Sequence, residues 1–189
     1  MKINQAAVTA FCTPANGDDN VNDPDDADDA GDPDDPEPKD RLAPGEDLPE
    51  WSVEVAVDGD PGVGDTVRFT KTLSEDDVDR FAAASGDTNP LHLDEEWASE
   101  TRFGGRIVHG TLAAGLVSAA PARFPGSVVY LSQDLEFRAP ARVGARVTAE
   151  ATIVGALGED RYRLRTTVEG EEDCIIDGEA VVLIDEAPA

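Results

Sequence analysis

Lysine is almost missing from this chain. Of 15 basic residues in 189, only Lys2, Lys39 and Lys71 are lysine, against 41 acidic residues and a formal net charge of −26. With a pI near 4.1, the chain offers no simple electrostatic attraction to nucleic acid or to an anionic membrane. Acid in excess, with arginine in place of lysine, suits a cytosol full of salt. Screening there shortens charge repulsion, and hydrated carboxylates keep the surface wet. The composition points to a salt-in halophile.

Cysteine is scarce as well. Cys12 and Cys174 lie far apart and give neither a disulfide framework nor a metal-binding spacing. Long apolar runs are also absent. The most apolar stretch, residues 107–122, is too short for a membrane span and is interrupted by His109. Residues 6–12 form a weak apolar patch, too short for a signal-peptide core, and Phe11 before Cys12 is a poor lipid-attachment context. A soluble cytoplasmic protein is the expectation.

Composition divides the chain near residue 50. Residues 18–50 carry 15 acidic side chains, opposed only by Lys39 and Arg41, among Asp, Pro, Gly and Ala. Such a segment cannot bury enough surface to offset its ordering entropy, so residues 1–50 are expected to be a disordered acidic tail. Residues 51–189 read as one globular domain.

The first expected strand of that domain is 66–73. Ser74 with Asp77 three residues on marks a helix start, and Val78, Phe81 and Ala82 give the helix its apolar stripe. A short acidic helix is expected around 94–100, then a Gly104-Gly105 break. Residues 110–120 form a helix of small side chains, Ala113, Ala114, Gly115, Ser118, Ala119 and Ala120 among them, limited by Pro121. Small residues on every face predict a buried helix approached on several sides. Four strand-like runs follow, 127–138, 146–154, 161–168 and 173–184, with alternation clearest in Val147, Ala149, Ala151 and Ile153. Period two with one apolar face predicts an antiparallel sheet covered on one side. The order of elements predicts an α+β domain whose sheet wraps one buried helix.

Chemistry concentrates in residues 86–92, Gly-Asp-Thr-Asn-Pro-Leu-His. On a regular helix, residues five apart point roughly 140° away from each other. Only a bent backbone brings Asp87 and His92 to one point. Gly86 permits unusual dihedrals, and Pro90 pushes Asn89 towards an extended conformation. The segment reads as a rigid turn that aims a carboxylate and an imidazole at a shared water. An isolated aspartate here would be read as a turn-former capping the next backbone N–H. His109 is the second of only two histidines, and its place before the small-residue helix gives it a positioning role. A metal site on His92 and Asp94 lacks a third ligand at metal-like spacing, so no metal is expected. Arg161, Arg163 and Arg165 share one strand face. They read as a solvated, salt-bridged surface, with contact to a ligand's phosphate groups as the minority reading.

The stretch Phe81-Ala-Ala-Ala-Ser-Gly86-Asp87-Thr-Asn89-Pro90-Leu-His92 resembles the signature of the MaoC-like, (R)-specific enoyl-CoA hydratases. Ile107-Val108-His109-Gly110, the run from Tyr130 to Phe137 and the run from Val143 to Glu150 are similar in order and spacing. The resemblance covers most of 62–185. It implies a hot-dog fold and a homodimer with active sites at or near the subunit interface. It implies Asp87 and His92 as the catalytic dyad, and the backbone N–H of Gly110 as the oxyanion donor. Ser118 matches a serine close to the catalytic aspartate in some relatives, and Asn89 shapes the turn. The implied reaction is reversible hydration of a 2-enoyl-CoA thioester, with the pathway open among fatty-acid breakdown, polyhydroxyalkanoate supply and branched dicarboxylate metabolism. Coenzyme A enters as part of the substrate and no cofactor is implied. A thioesterase on the same fold, or an acyl-CoA-binding module without turnover, are the alternatives.

Overall fold

The computed structural model describes residues 51–186; the acidic segment 1–50 and residues 187–189 lie outside them. Among the described residues there are six strands and four α-helices. The strands are β1 (Trp51–Ala56), β2 (Thr66–Thr72), β3 (Ser127–Phe137), β4 (Arg146–Gly158), β5 (Arg161–Glu169) and β6 (Cys174–Asp185). The helices are α1 (Glu75–Ser85), α2 (Pro90–Leu93), α3 (Glu95–Ser99) and α4 (Gly110–Ala119). All strand pairs are antiparallel, in the order β1-β2-β4-β5-β6-β3. Helix α4 packs on the central strands β4 and β5, giving the sheet-and-helix hot-dog that the resemblance implies.

Alternation sets which face of the sheet meets the helix. Val147, Ala149, Ala151 and Ile153 of β4 and Leu164, Thr166 and Val168 of β5 all point into the core. Each fully buried Ile or Leu there contributes about 2 kcal/mol of hydrophobic stabilisation. The outer face fixes the same register with polar pairs. Thr66 faces Thr152 and Thr70 faces Thr148 at 2.8 Å between hydroxyls, and Arg68 Nε donates to Glu150 at 2.7 Å. A one-residue slip would bury these groups and expose the core, so the pairing is strongly specified. The arginines of β5 are exposed and paired, Arg161 with Glu159, Arg163 with Glu179 and Arg165 with Asp177.

Three features differ from expectation. β1 is an additional strand ahead of the expected first one. Its Val53 and Val55 are exposed, and it is held by pairing to β2 and by Trp51 packing on Phe69 at 5.8 Å. The acidic helix expected near 94–100 is present as α3, capped by Asp94, but a further short helix, α2, capped by Asn89, precedes it. The α4 helix is buried along Ala113, Leu116 and Val117, but Gly110, Thr111, Gly115 and Ser118 are exposed within the single chain. No helix among the described residues is long and apolar enough to cross a membrane.

Candidate active site

Helix α1 ends where Gly86 takes the left-handed conformation, φ 76°, and its N–H closes on the Ala82 carbonyl. Glycine adopts that conformation without the Cβ penalty, so the chain leaves the helix axis at this point. Asp87 then accepts the Asn89 N–H on Oδ1 at 3.3 Å, the turn-forming bond expected of an isolated aspartate. Its second carboxylate oxygen is left for other partners. Asn89 accepts the Leu91 N–H at 3.1 Å and caps α2, with Pro90 in the first helical position. One short turn later His92 points inward and is only 8% exposed.

Two backbone carbonyls orient the histidines. His92 Nδ1 lies 2.8 Å from the Ile107 oxygen, and His109 Nε2 lies 3.0 Å from the Asp87 oxygen. A carbonyl can only accept, so each of these nitrogens carries the proton and donates. In the neutral imidazole this leaves the His92 Nε2 as the acceptor. The His92 and His109 rings stack 3.9 Å apart between centroids, tilted by 31°, and the Phe81 ring lies 4.9 Å from that of His109. Donor atoms of Asp87, His92 and His109 all fall within 4.8 Å of one another. The bend therefore does bring the acid and the imidazole together, and His109 joins them as a third group that local spacing could not reveal.

Gly110 begins α4. The His109 carbonyl accepts the Leu112 and Ala113 N–H groups, while no backbone acceptor among the described residues meets the N–H of Gly110. A helix start with free N–H groups at the positive end of its dipole is suited to negative charge on an oxygen. A Cβ on Gly110 would stand 3.0 Å from Cε1 of Phe137, so glycine allows this ring to lie across the helix start. A cavity of about 340 Å³ opens there, with His92, Arg102, Ile107, Gly110, Ala113 and Phe137 among its lining residues. Asp87 does not line it and is exposed in the single chain. Ser118 is exposed eight residues further along α4, about 12 Å from Gly110 along the axis.

A model of the MaoC like domain family matches residues 60–173. The chain belongs to the MaoC-like domain family. The MaoC-like match runs from before β2 to the start of β6 and takes in every site residue named above. The (R)-specific enoyl-CoA hydratase of Rhodospirillum rubrum is 42% identical over 124 residues, 64% of this chain and 86% of that protein. The 3-hydroxybutyryl-CoA dehydratase of Methylorubrum extorquens is 43% identical over 125 residues, 65% of this chain and 80% of that protein. Among solved structures, the (R)-hydratase from A. caviae involved in PHA biosynthesis aligns with a TM-score of 0.64 and 35% identity. That alignment covers 68% of this chain and 100% of the other.

Proposed function

We propose that this MaoC-like protein is an (R)-specific enoyl-CoA hydratase, acting in reverse as a 3-hydroxyacyl-CoA dehydratase. The observation that carries the reading is the meeting of Asp87 and His92 across a rigid bend, beside a cavity that opens on the Gly110 helix start. In this reading the Asp87 carboxylate takes a proton from a water that His92 Nε2 helps to hold. The water oxygen bonds to C3 of the enoyl group, and the double-bond electrons move to the thioester oxygen. Gly110 N–H stabilises that oxygen, a donor typically worth about 3 kcal/mol of barrier. Collapse of the enolate then takes a proton at C2, delivered from Asp87 through His92. The step adds one water in all, its hydroxyl to C3 and its proton to C2, and needs no cofactor; coenzyme A is part of the substrate.

The proposed working unit is a cytoplasmic homodimer. Strand β3 pairs only with β6 among the described strands, so its other edge is open, and Val129 and Leu131 are each 49% exposed along it. An open edge with apolar side chains is a template for a second copy. The exposed face of α4, with Gly115 and Ser118, and the uncovered Asp87 also suit a site completed at a subunit interface. Ser118 is proposed to act there, in support of the aspartate.

The test is crotonyl-CoA mixed with the purified protein in high salt. Loss of enoyl absorbance with formation of (R)-3-hydroxybutyryl-CoA is the expected result. Release of free thiol instead would assign a thioesterase, and no turnover over a broad set of enoyl-CoAs would leave a binding module.

A further inference from the structure

We propose that His109 is a positioning residue that locks the Asp87 turn to the start of α4; this rests on the hydration reading. The turn is exposed, and almost all of its hydrogen bonds are local. Asp87 N–H donates to Ser85 Oγ at 3.2 Å, Thr88 N–H to the Gly86 carbonyl at 3.1 Å, and Asn89 N–H to Asp87 Oδ1. Among the described residues, the bond from His109 Nε2 to the Asp87 carbonyl is the one hydrogen bond that ties residues 86–89 to a distant part of the chain. Local turn bonds fix the shape of the bend. The His109 bond fixes its place.

The same residue holds the other two parts of the site. Its ring is the wall against which the His92 ring lies, and its own carbonyl opens α4 by accepting from Leu112 and Ala113. Its side chain caps nothing and is directed to Asp87 instead. Base, imidazole and oxyanion donor are thus referred to one rigid group that is 1% exposed. A misplacement of about 1 Å between such groups lowers rate roughly a hundredfold.

Packing alone does not account for an imidazole here. His109 Nδ1 is buried with no hydrogen-bond partner, an unfavourable state for a polar atom. Phenylalanine would pack against Phe81 and His92 without that penalty. It would not donate to Asp87.

His109→Phe and His109→Gln therefore separate the two roles, because glutamine replaces the donor and phenylalanine replaces the ring. With crotonyl-CoA, His109→Phe is expected to lose about 10- to 100-fold in kcat, with KM within about threefold and an unchanged melting temperature. His109→Gln is expected to recover most of that loss. A His109→Phe enzyme within about threefold of wild-type kcat would overturn the proposal, as would equal losses in two folded variants. The nitrogen-15 shifts of the His109 ring in the full chain give a readout independent of turnover and of either variant's folding. A proton on Nε2 is expected; a bare Nε2, with the proton on Nδ1 alone, contradicts the lock. A wild type inactive on every enoyl-CoA would remove the hydration reading, while the tautomer would still decide the contact.

Discussion

His92 sits third in a four-residue helix, a piece of chain too short to hold its shape by helix propensity alone. Its position comes from named contacts: the Asn89 cap before it, the Ile107 carbonyl on Nδ1 and the His109 ring on its face. The free Nε2 is therefore aimed rather than adrift. Replacing His92 by glutamine is expected to lower kcat by about 100- to 10,000-fold, the range for losing a proton-transfer group. Crotonyl-CoA hydration rates with matched circular-dichroism spectra measure this. Gly110→Ala tests the other end of the site. The added methyl would meet Phe137, which is 57% exposed and can yield, so the fold should persist. The methyl also crowds the approach to the helix N–H, and a fall in kcat of about tenfold or more is expected.

Helix α1 depends on a compact polar cluster at its start. Ser74 and Asp77 form a reciprocal capping box, and Lys71, the one lysine among the described residues, pairs with Asp77. Burial pushes the Asp77 carboxyl up, but the bonds from Lys71 and Ser74 outweigh it and hold the group below its usual 3.8. A carboxylate lowered on folding stabilises the native state above its unfolded pKa, and that contribution fades as pH falls through the folded value. Asp77→Ala should therefore cost at least about 1 kcal/mol at neutral pH, from the lost cap and the unpaired lysine. Denaturant titrations should show the difference from wild type shrinking below about pH 4.

Most of this local construction is legible in the sequence, because caps, left-handed glycines and strand alternation are written within a few neighbouring residues. Ser74, Gly86, Asn89-Pro90 and the β4 and β5 faces belong to this class. The contacts that finish the site are not local. Ile107 reaches His92, His109 reaches Asp87 and Phe137 covers Gly110 only after the chain has folded. β1 escaped for a related reason: its apolar side chains stay partly exposed, and backbone pairing supplies most of its hold.

At the scale of the whole molecule, charge sets the conditions. A net charge of −26 on 189 residues repels itself wherever salt does not screen it. Melting temperature and dimer content are both expected to rise with potassium chloride, and a salt-independent melting curve would count against the halophile reading. If the proposed dimer forms through the open edge of β3, Leu131→Lys should shift light-scattering mass from dimer to monomer and reduce turnover with it. Deleting residues 1–48 is expected to leave fold and activity largely unchanged, which places the working domain after the acidic segment. The most direct measurement is the rate of crotonyl-CoA hydration by Asp87→Asn in high salt, on protein whose light-scattering mass and melting temperature match wild type. A loss of at least about 100-fold is the predicted result; a rate close to wild type would contradict the account.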